Sequence, residues 1–265
     1  MPQLTAITRD VSPAIANCQL THLVREPIDV EKARAQHADY ERALGRLGCR
    51  VSRLAAGAAM PDSVFIEDVA VVFDEIAVIT RPGAASRRPE TTDVSRVLSH
   101  HRPIVQIVAP GTLDGGDVLV VGRSVFVGQS RRSNDAGMGQ LRAAIASYGY
   151  SVVPATVRGC LHLKSAITAL DGGTLLANRR WIAEDEFARF ELVDVDPREP
   201  MAANVVRIGD KLLYAAGFPR TLERLEQRGY AVTTVDVSEI AKAEGAVTCC
   251  SLIFTGVVSG VPGAA

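Results

Sequence analysis

The amino-acid sequence predicts an α/β fold in which five strand–turn–strand–helix–strand units close in a ring around one central active site. Three observations carry that expectation. Strand-like apolar stretches recur about every 45 residues, the mark of stacked or radial repeats rather than of one open sheet. Most units also carry, at a matching point beside a strand-like stretch, side chains able to do chemistry: Glu67 and Asp68, Asp114 and Asp117, His162, and Cys249, with a weaker counterpart at Met201-Ala202-Ala203-Asn204. Residues so far apart in sequence meet only if the repeats close on themselves. An α/β sandwich whose strands merely recur is the competing architecture on pattern alone.

The first unit is the least regular. A strand is expected over residues 6–9, then a loop, a helix over 30–47 and a strand over 50–54. Ala33, His37, Tyr40, Leu44 and Leu47 fall at spacings of four and three, one face of a helix. The second unit pairs strands 69–73 and 76–80 about Asp74-Glu75, followed by a helix over 90–101 and a strand over 104–109. The third has strands 118–121 and 125–128 about Gly122-Arg123, a helix over 135–148 and a strand over 151–154. The fourth runs from His162 past Leu175-Leu176 to a helix over 183–190 and a strand over 192–195. The fifth has strands 205–208 and 212–215 about Gly209-Asp210, a helix over 219–228 and a strand over 232–237. Residues 246–254 supply a closing strand, and the Gly/Ala-rich stretch 256–265 is expected to fray.

The 265 residues suit one domain spanning 1–265, and a composition that is 47% hydrophobic supports a sizeable core. The net charge of −1 gives no global field favouring nucleic acid or a membrane surface. No 18-residue apolar run and no signal-peptide pattern is present. Five cysteines without a CxxC pair argue against a disulfide framework or structural zinc, and place the chain in a reducing cytoplasm.

Cys249 is the candidate nucleophile, although a cysteine among apolar residues is more often a small buried hydrophobe. In a strand, Cys249 and Cys250 point to opposite faces, so only one can face the centre. His162, shielded by Leu161 and Leu163, is the candidate acid/base, with a satisfied core histidine as the bland alternative. Glu67-Asp68 interrupts a hydrophobic run, and a desolvated carboxylate needs a partner. Asp114-Gly115-Gly116-Asp117 reads as a turn on composition, as does its look-alike at Asp171-Gly172-Gly173. The first of these, however, precedes its strand in the same repeat position as His162. Buried carboxylates suit a cationic substrate or a divalent metal. Arg81, Arg87, Arg88, Arg131 and Arg132 follow the second strands of two units, where one or two can hold a carboxylate by their guanidinium fork.

Five segments in register resemble a known family: the run from Pro61 to Val72 that contains Phe65-Ile66-Glu67-Asp68, Ile79-Thr80-Arg81-Pro82-Gly83-Ala84, the run from Leu113 to Leu119, Leu161-His162-Leu163-Lys164-Ser165, and Thr248-Cys249-Cys250-Ser251. Together they resemble the dimethylarginine dimethylaminohydrolase family of the guanidine-modifying superfamily. The resemblance implies a five-bladed α/β propeller and hydrolysis of an Nω-methylated arginine to citrulline and an alkylamine. It implies Cys249 as nucleophile, His162 as acid and base, and Asp114 as the residue that orients His162. It implies Asp68, then Glu67, on the guanidinium, Arg87 and Arg132 on the substrate carboxylate, and Leu20, Asp62 and Ala243 as further substrate contacts, with Leu20 on a lid over residues 14–22. Relatives acting on plain arginine resemble one another in having His-x-Asp; Lys164 takes that place here, which favours a substituted arginine. Glu244 stands where relatives often have Asp. No cofactor or metal ion is implied, and the partner is a small molecule, with a homodimer compatible. The rival readings are a hydrolase of N-hydroxy- or otherwise modified arginine, a non-catalytic ribosome-associated propeller, and a metal-dependent enzyme using Glu67, Asp68, Asp114 and Asp117.

Overall fold

The computed structural model describes residues 3–256. Of the stretch expected to fray, only Gly256 lies within that range. The first blade begins with β1 (Leu4–Arg9), helix α1 (Val30–Arg46) and β2 (Cys49–Leu54). The second holds β3 (Ala70–Val72), β4 (Ala77–Ile79), α2 (Thr91–Leu98) and β5 (Ile104–Gln106). The third holds β6 (Val118–Val121), β7 (Ser124–Gln129), α3 (Asp135–Ile145) and β8 (Ser151–Thr156). In the fourth, the single turn α4 (Leu163–Ala166) precedes β9 (Ile167–Ala169), β10 (Thr174–Ala177) and β11 (Glu191–Asp194). The fifth has β12 (Val205–Ile208), β13 (Lys211–Ala215), α5 (Pro219–Gln227) and β14 (Ala231–Val235). The short α6 (Ser238–Ala241) then leads to β15 (Leu252–Thr255), which returns to the first blade.

Every blade is a three-stranded sheet with the same pairing, antiparallel inside and parallel outside. The first blade takes its inner strand, β15, from the far end of the chain, with Thr5 opposite Phe254 and Ile7 opposite Leu252. That exchange fastens the ring.

The period-two pattern explains why each sheet is apolar on both faces. Five hydrophobic clusters lie between neighbouring blades, and successive residues of one strand feed different clusters. Val118 and Val127 join the core between blades two and three, while Leu119, Val121 and Phe126 join the core between three and four. Leu175 and Leu176 divide in the same way, as do Val205 and Val206. Ala6 faces the core shared with blade five and Ile7 the core shared with blade two, so the fifth interface closes the circle. The structure is a five-bladed α/β propeller, and a sandwich could not supply five such interfaces. The hairpin turns expected at Gly122 and Gly209 are present, with φ of 60° and 64°, a conformation in which a side chain would be strained.

Two expectations are corrected. The helix over 183–190 is only a 3₁₀ turn at Glu184–Phe187. Three acidic residues open it and Phe187 alone is buried, so it lacks the apolar stripe that holds a longer helix to a core. The closing strand over 246–254 begins only at Leu252, and Thr248–Cys250 form a 3₁₀ turn. Cys249 and Cys250 therefore diverge by a turn rather than by strand pleating.

Candidate active site

The turns that precede the inner strands meet at the axis. Ile66–Val69 enters β3, Gly115–Asp117 enters β6, α4 enters β9 and Thr248–Cys250 enters β15. A 3₁₀ turn or a single helical turn aims its side chains inward before the strand pleat begins. Cys249 is partly exposed and faces a small cavity, whereas Cys250 is buried in the core between blades five and one, its thiol toward the Ala246 carbonyl at 3.6 Å.

His162 is buried on the same cavity wall. Its Nε2 lies 3.1 Å from Asp114 Oδ2, and its Nδ1 lies 3.8 Å from Asp68 Oδ1. Asp114 is wholly buried behind it and also accepts the Gly83 N–H at 2.8 Å. Gly116 explains the paired glycines of the motif. A Cβ there would stand 2.6 Å from His162 Nδ1 and 2.7 Å from Asp68 Oδ1, so only glycine admits ring and carboxylate together. Asp117 serves the scaffold: it accepts the Leu163 N–H at 3.0 Å and the hydroxyls of Ser130 and Ser133, and so fixes the turn after His162.

Asp68 accepts from Arg87 Nη1 at 2.5 Å and from the Gly116 N–H at 3.0 Å. Arg87 is itself buried and committed to the protein. Besides Asp68 it donates to Glu90 and to the carbonyls of Asp62 and Phe65. Arg132 is freer: among the described residues its Nη2 meets only the Thr21 hydroxyl, at 3.1 Å, and its Nη1 stands 3.8 Å from Asp114.

The cavity wall thus joins Asp62, Asp68, Arg87, Arg132, His162, Ala243 and Cys249. Two of the expected contacts lie elsewhere. Glu67 takes a charged hydrogen bond from Lys164 Nζ at 2.5 Å and another from the Thr248 hydroxyl at 2.8 Å. It opens with Lys164 onto a separate cavity of about 270 Å³ lined by the inner strands. Leu20 packs against the core between blades five and one rather than lining the cavity.

Two residues at the site carried little or no signal in sequence. Asn204 sits at the one repeat position without reactive chemistry. Its Nδ2 donates to the Lys164 carbonyl at 2.9 Å and to the Thr248 hydroxyl at 3.0 Å, while its Oδ1 accepts the Thr248 N–H at 3.0 Å. It clamps the histidine turn to the cysteine turn. Glu244, on the cavity wall, accepts the backbone N–H groups of Thr21, His22 and Leu23.

The sequence matches the family described as N,N dimethylarginine dimethylhydrolase, eukaryotic, over residues 14–170. It is 43% identical over 254 residues to the N(G),N(G)-dimethylarginine dimethylaminohydrolase of Streptomyces coelicolor, covering 95% of this chain and 97% of that one. The chain belongs to the dimethylarginine dimethylaminohydrolase family. The Pseudomonas aeruginosa protein of the same name is 36% identical over 85% of this chain and 90% of its own. The solved structure of a cysteine-to-serine variant of the Pseudomonas aeruginosa enzyme, complexed with citrulline, matches with a TM-score of 0.91 at 34% identity, covering 96% of this chain and all of that one.

Electrostatics at this dimethylarginine dimethylaminohydrolase site divide acid from base. Burial opposes a charge on His162, but Asp68, Asp114 and Asp117 outweigh it and raise its pKa to about 9. Burial also resists ionisation of Asp68, yet His162 and Arg87 pull its pKa down to about 2. The Cys249 thiol is pushed well above its ordinary range, first by desolvation and then by Glu67 and Asp68. Both directions favour a neutral thiol beside an imidazolium in the empty site. Among the described residues one group, Asp68, Asp114 and His162, gathers ligand atoms within 4.8 Å of one another, as a metal would need. Those atoms already face one another or Arg87 as ion pairs, and Glu67 and Asp117 are turned to other partners. Among the described residues no helix is long and apolar enough to cross a membrane.

Proposed function

We propose that the chain hydrolyses Nω-methylated arginine, monomethyl or asymmetric dimethyl, to citrulline and an alkylamine through a covalent Cys249 intermediate. The observation that carries the reading is the convergence of Cys249, His162 and Asp68 on one cavity wall, with Asp114 behind the imidazole. A guanidinium is a poor electrophile that stays charged at ordinary pH. Asp68 fixes that cation. As the cation binds, the Cys249 thiol releases its proton to solvent water, and the thiolate adds to the guanidinium carbon. The C–N bond to the substituted nitrogen then breaks as His162 delivers a proton to it, and the alkylamine leaves a thiouronium on Cys249. His162, now neutral, takes a proton from a water that adds to the same carbon; the C–S bond breaks, the departing thiolate takes up the surplus proton of the product, and citrulline departs. Asp114 holds the ring and supports its positive charge.

Lys164 supports a substituted rather than a plain arginine. Where relatives acting on arginine have a carboxylate, this side chain turns away to Glu67, and the cavity loses an acceptor for an unsubstituted NH₂. Arg132 and Asp62 are the freest groups for the amino-acid end.

Citrulline release from monomethyl-, asymmetric dimethyl-, N-hydroxy- and unmodified arginine tests the reading. Turnover of the methylated substrates, unaffected by chelators, is expected. Preference for unmodified or N-hydroxyarginine would overturn the assigned substrate, and loss of activity on chelation would overturn the metal-free mechanism.

A further inference from the structure

The catalytic cavity is small. About 20 Å³ remains inside it, room for about one water by the usual 10–15 Å³ requirement and far short of an amino acid. Gln19 forms part of its wall, and the segment it opens, residues 19–23, is held in place by three other cavity-wall side chains. Asp62 accepts the Gln19 N–H at 3.0 Å, Arg132 donates to the Thr21 hydroxyl at 3.1 Å, and Glu244 takes the three successive N–H groups of Thr21, His22 and Leu23 at 3.0, 2.5 and 2.6 Å.

These holds differ in kind. Asp62 and Arg132 carry the charges that suit the ammonium and carboxylate of an amino acid, so an entering substrate competes with Gln19 and Thr21 for them. Glu244 meets the segment by a nest of consecutive backbone N–H groups, which needs an anion and no particular lid side chain. Its own backbone is unusual: Glu244 is the one non-glycine with positive φ among the described residues, at 58°. A side chain at that angle is strained, and the strain is the cost of aiming its carboxylate back over the cavity, five residues before Cys249.

We propose that Glu244 is the latch of this lid, a positioning residue that keeps residues 19–23 shut over Cys249 while Asp62 and Arg132 exchange lid for substrate. Its effect on turnover rests on reading the cavity as the arginine site; the latch itself does not. Three hydrogen bonds to one carboxylate also make the grip independent of whether Asp62 and Arg132 are occupied. The lid can therefore reclose on a bound substrate, excluding bulk water from the thiouronium except for the one molecule that hydrolyses it.

Amide hydrogen exchange on the full chain reads the latch without any substrate. Glu244→Gly relaxes the backbone while removing the carboxylate, and Glu244→Gln keeps the shape while removing the charge. In Glu244→Gly, exchange in the peptide spanning residues 19–24 should accelerate roughly ten- to hundredfold, the change expected from losing one charge-assisted hydrogen bond, with α1 and the inner strands unaltered. Glu244→Gln should fall between. Alkylation of Cys249 by iodoacetamide at fixed pH should accelerate alongside, because access is then gated by the same opening. Unchanged exchange at residues 21–23 in Glu244→Gly would overturn the latch, as would an acceleration spread evenly over the molecule. If the parent protein turns over no methylated arginine, the exchange and alkylation results still stand, so the two readings fail separately. If the latch holds but KM and kcat for a methylated arginine are the same in parent and Glu244→Gly, its role in turnover is refuted.

Discussion

Replacing Arg87 by alanine should unfold the site before it weakens substrate binding. The family resemblance assigns Arg87 to the substrate carboxylate, and on that basis its loss would simply raise KM. In the structure its guanidinium is 4% exposed and lies between two equally buried carboxylates, Asp68 at 2.5 Å and Glu90 at 2.8 Å. It also ties down the Asp62 and Phe65 carbonyls, which shape the turn into β3. Removing one partner of a buried ion pair costs about 3–5 kcal/mol, because the remaining charge stays desolvated. Part of that cost is relieved as Glu90, whose pKa burial already raises and Arg87 holds back, takes up a proton. Asp68 has no such relief at neutral pH while His162 stays charged beside it. A loss of roughly 3 kcal/mol corresponds to a fall in Tm on the order of 10 °C for a chain of this size. Urea titration followed by far-UV circular dichroism, alongside kcat/KM, measures both effects. Arg132→Ala is the control: it loses one hydrogen bond to Thr21, so stability should change by about 1 kcal/mol or less, while kcat/KM falls roughly tenfold or more. If Arg87→Ala keeps the parental urea midpoint and differs only in KM, Arg87 is a free carboxylate ligand and the scaffold role assigned here is wrong.

Three further outcomes follow from the site. Iodoacetamide inactivation of the free enzyme should titrate with a midpoint well above neutrality, since burial, Glu67 and Asp68 all oppose the thiolate; a midpoint below about 7 assigned to Cys249 would indicate a standing thiolate–imidazolium pair instead. His162, raised from 6.5 to about 9, contributes stability that is complete below about 6.5 and lost as pH rises through about 9, a change on the order of 3 kcal/mol; His162→Gln should flatten the urea midpoint over that window, and an identical slope in the variant would remove His162 as its source. Asn204→Ala leaves the Lys164 carbonyl and the Thr248 N–H without their partner and lets the cysteine turn shift, so kcat should fall roughly tenfold or more at a stability loss of about 1–3 kcal/mol; unchanged kcat on a folded variant would reduce Asn204 to packing.

Much of this is legible in the sequence, for a physical reason. Strands apolar on both faces and repeating at one interval need a neighbour on either side, and only a ring provides that for all five. The inner-strand turns then bring Asp68, Asp114, His162 and Cys249 to one axis. What stayed hidden depended on geometry across the chain. The spacing that linked Asp114 to His162 also fitted Asp117, and only the structure shows one bonded to the ring and the other to the Leu163 N–H. Arg87 looked available because nothing local announces that Asp68 and Glu90 meet it. Glu67 interrupts its apolar run as a ligand would, yet its partner is Lys164, 97 residues away. Asn204 was visible as a repeat position, but its clamp joins two other turns. Glu244 offered only a departure from the familiar residue, because neither its positive φ nor the lid that it grips is written in nearby residues.

One of the carboxylates that hold the resting thiol neutral, Asp68, is also the one proposed to meet the substrate cation. Asp68 raises the pKa of His162 and, with Glu67, opposes ionisation of Cys249, so the empty enzyme keeps a neutral thiol beside an imidazolium. In the proposed mechanism that state already holds the proton the leaving amine needs and lacks only the thiolate. A guanidinium bound at Asp68 supplies a positive charge where the thiol feels a negative one, which favours loss of the thiol proton. The same cation lowers the pull of Asp68 on the imidazolium, but Asp114, bonded to the ring at 3.1 Å and wholly buried, remains to hold it charged. On the proposed mechanism two carboxylates on one histidine thus divide the work, one answering to the substrate and one not. A single acid could not release the thiol without also releasing the proton that the alkylamine must carry away.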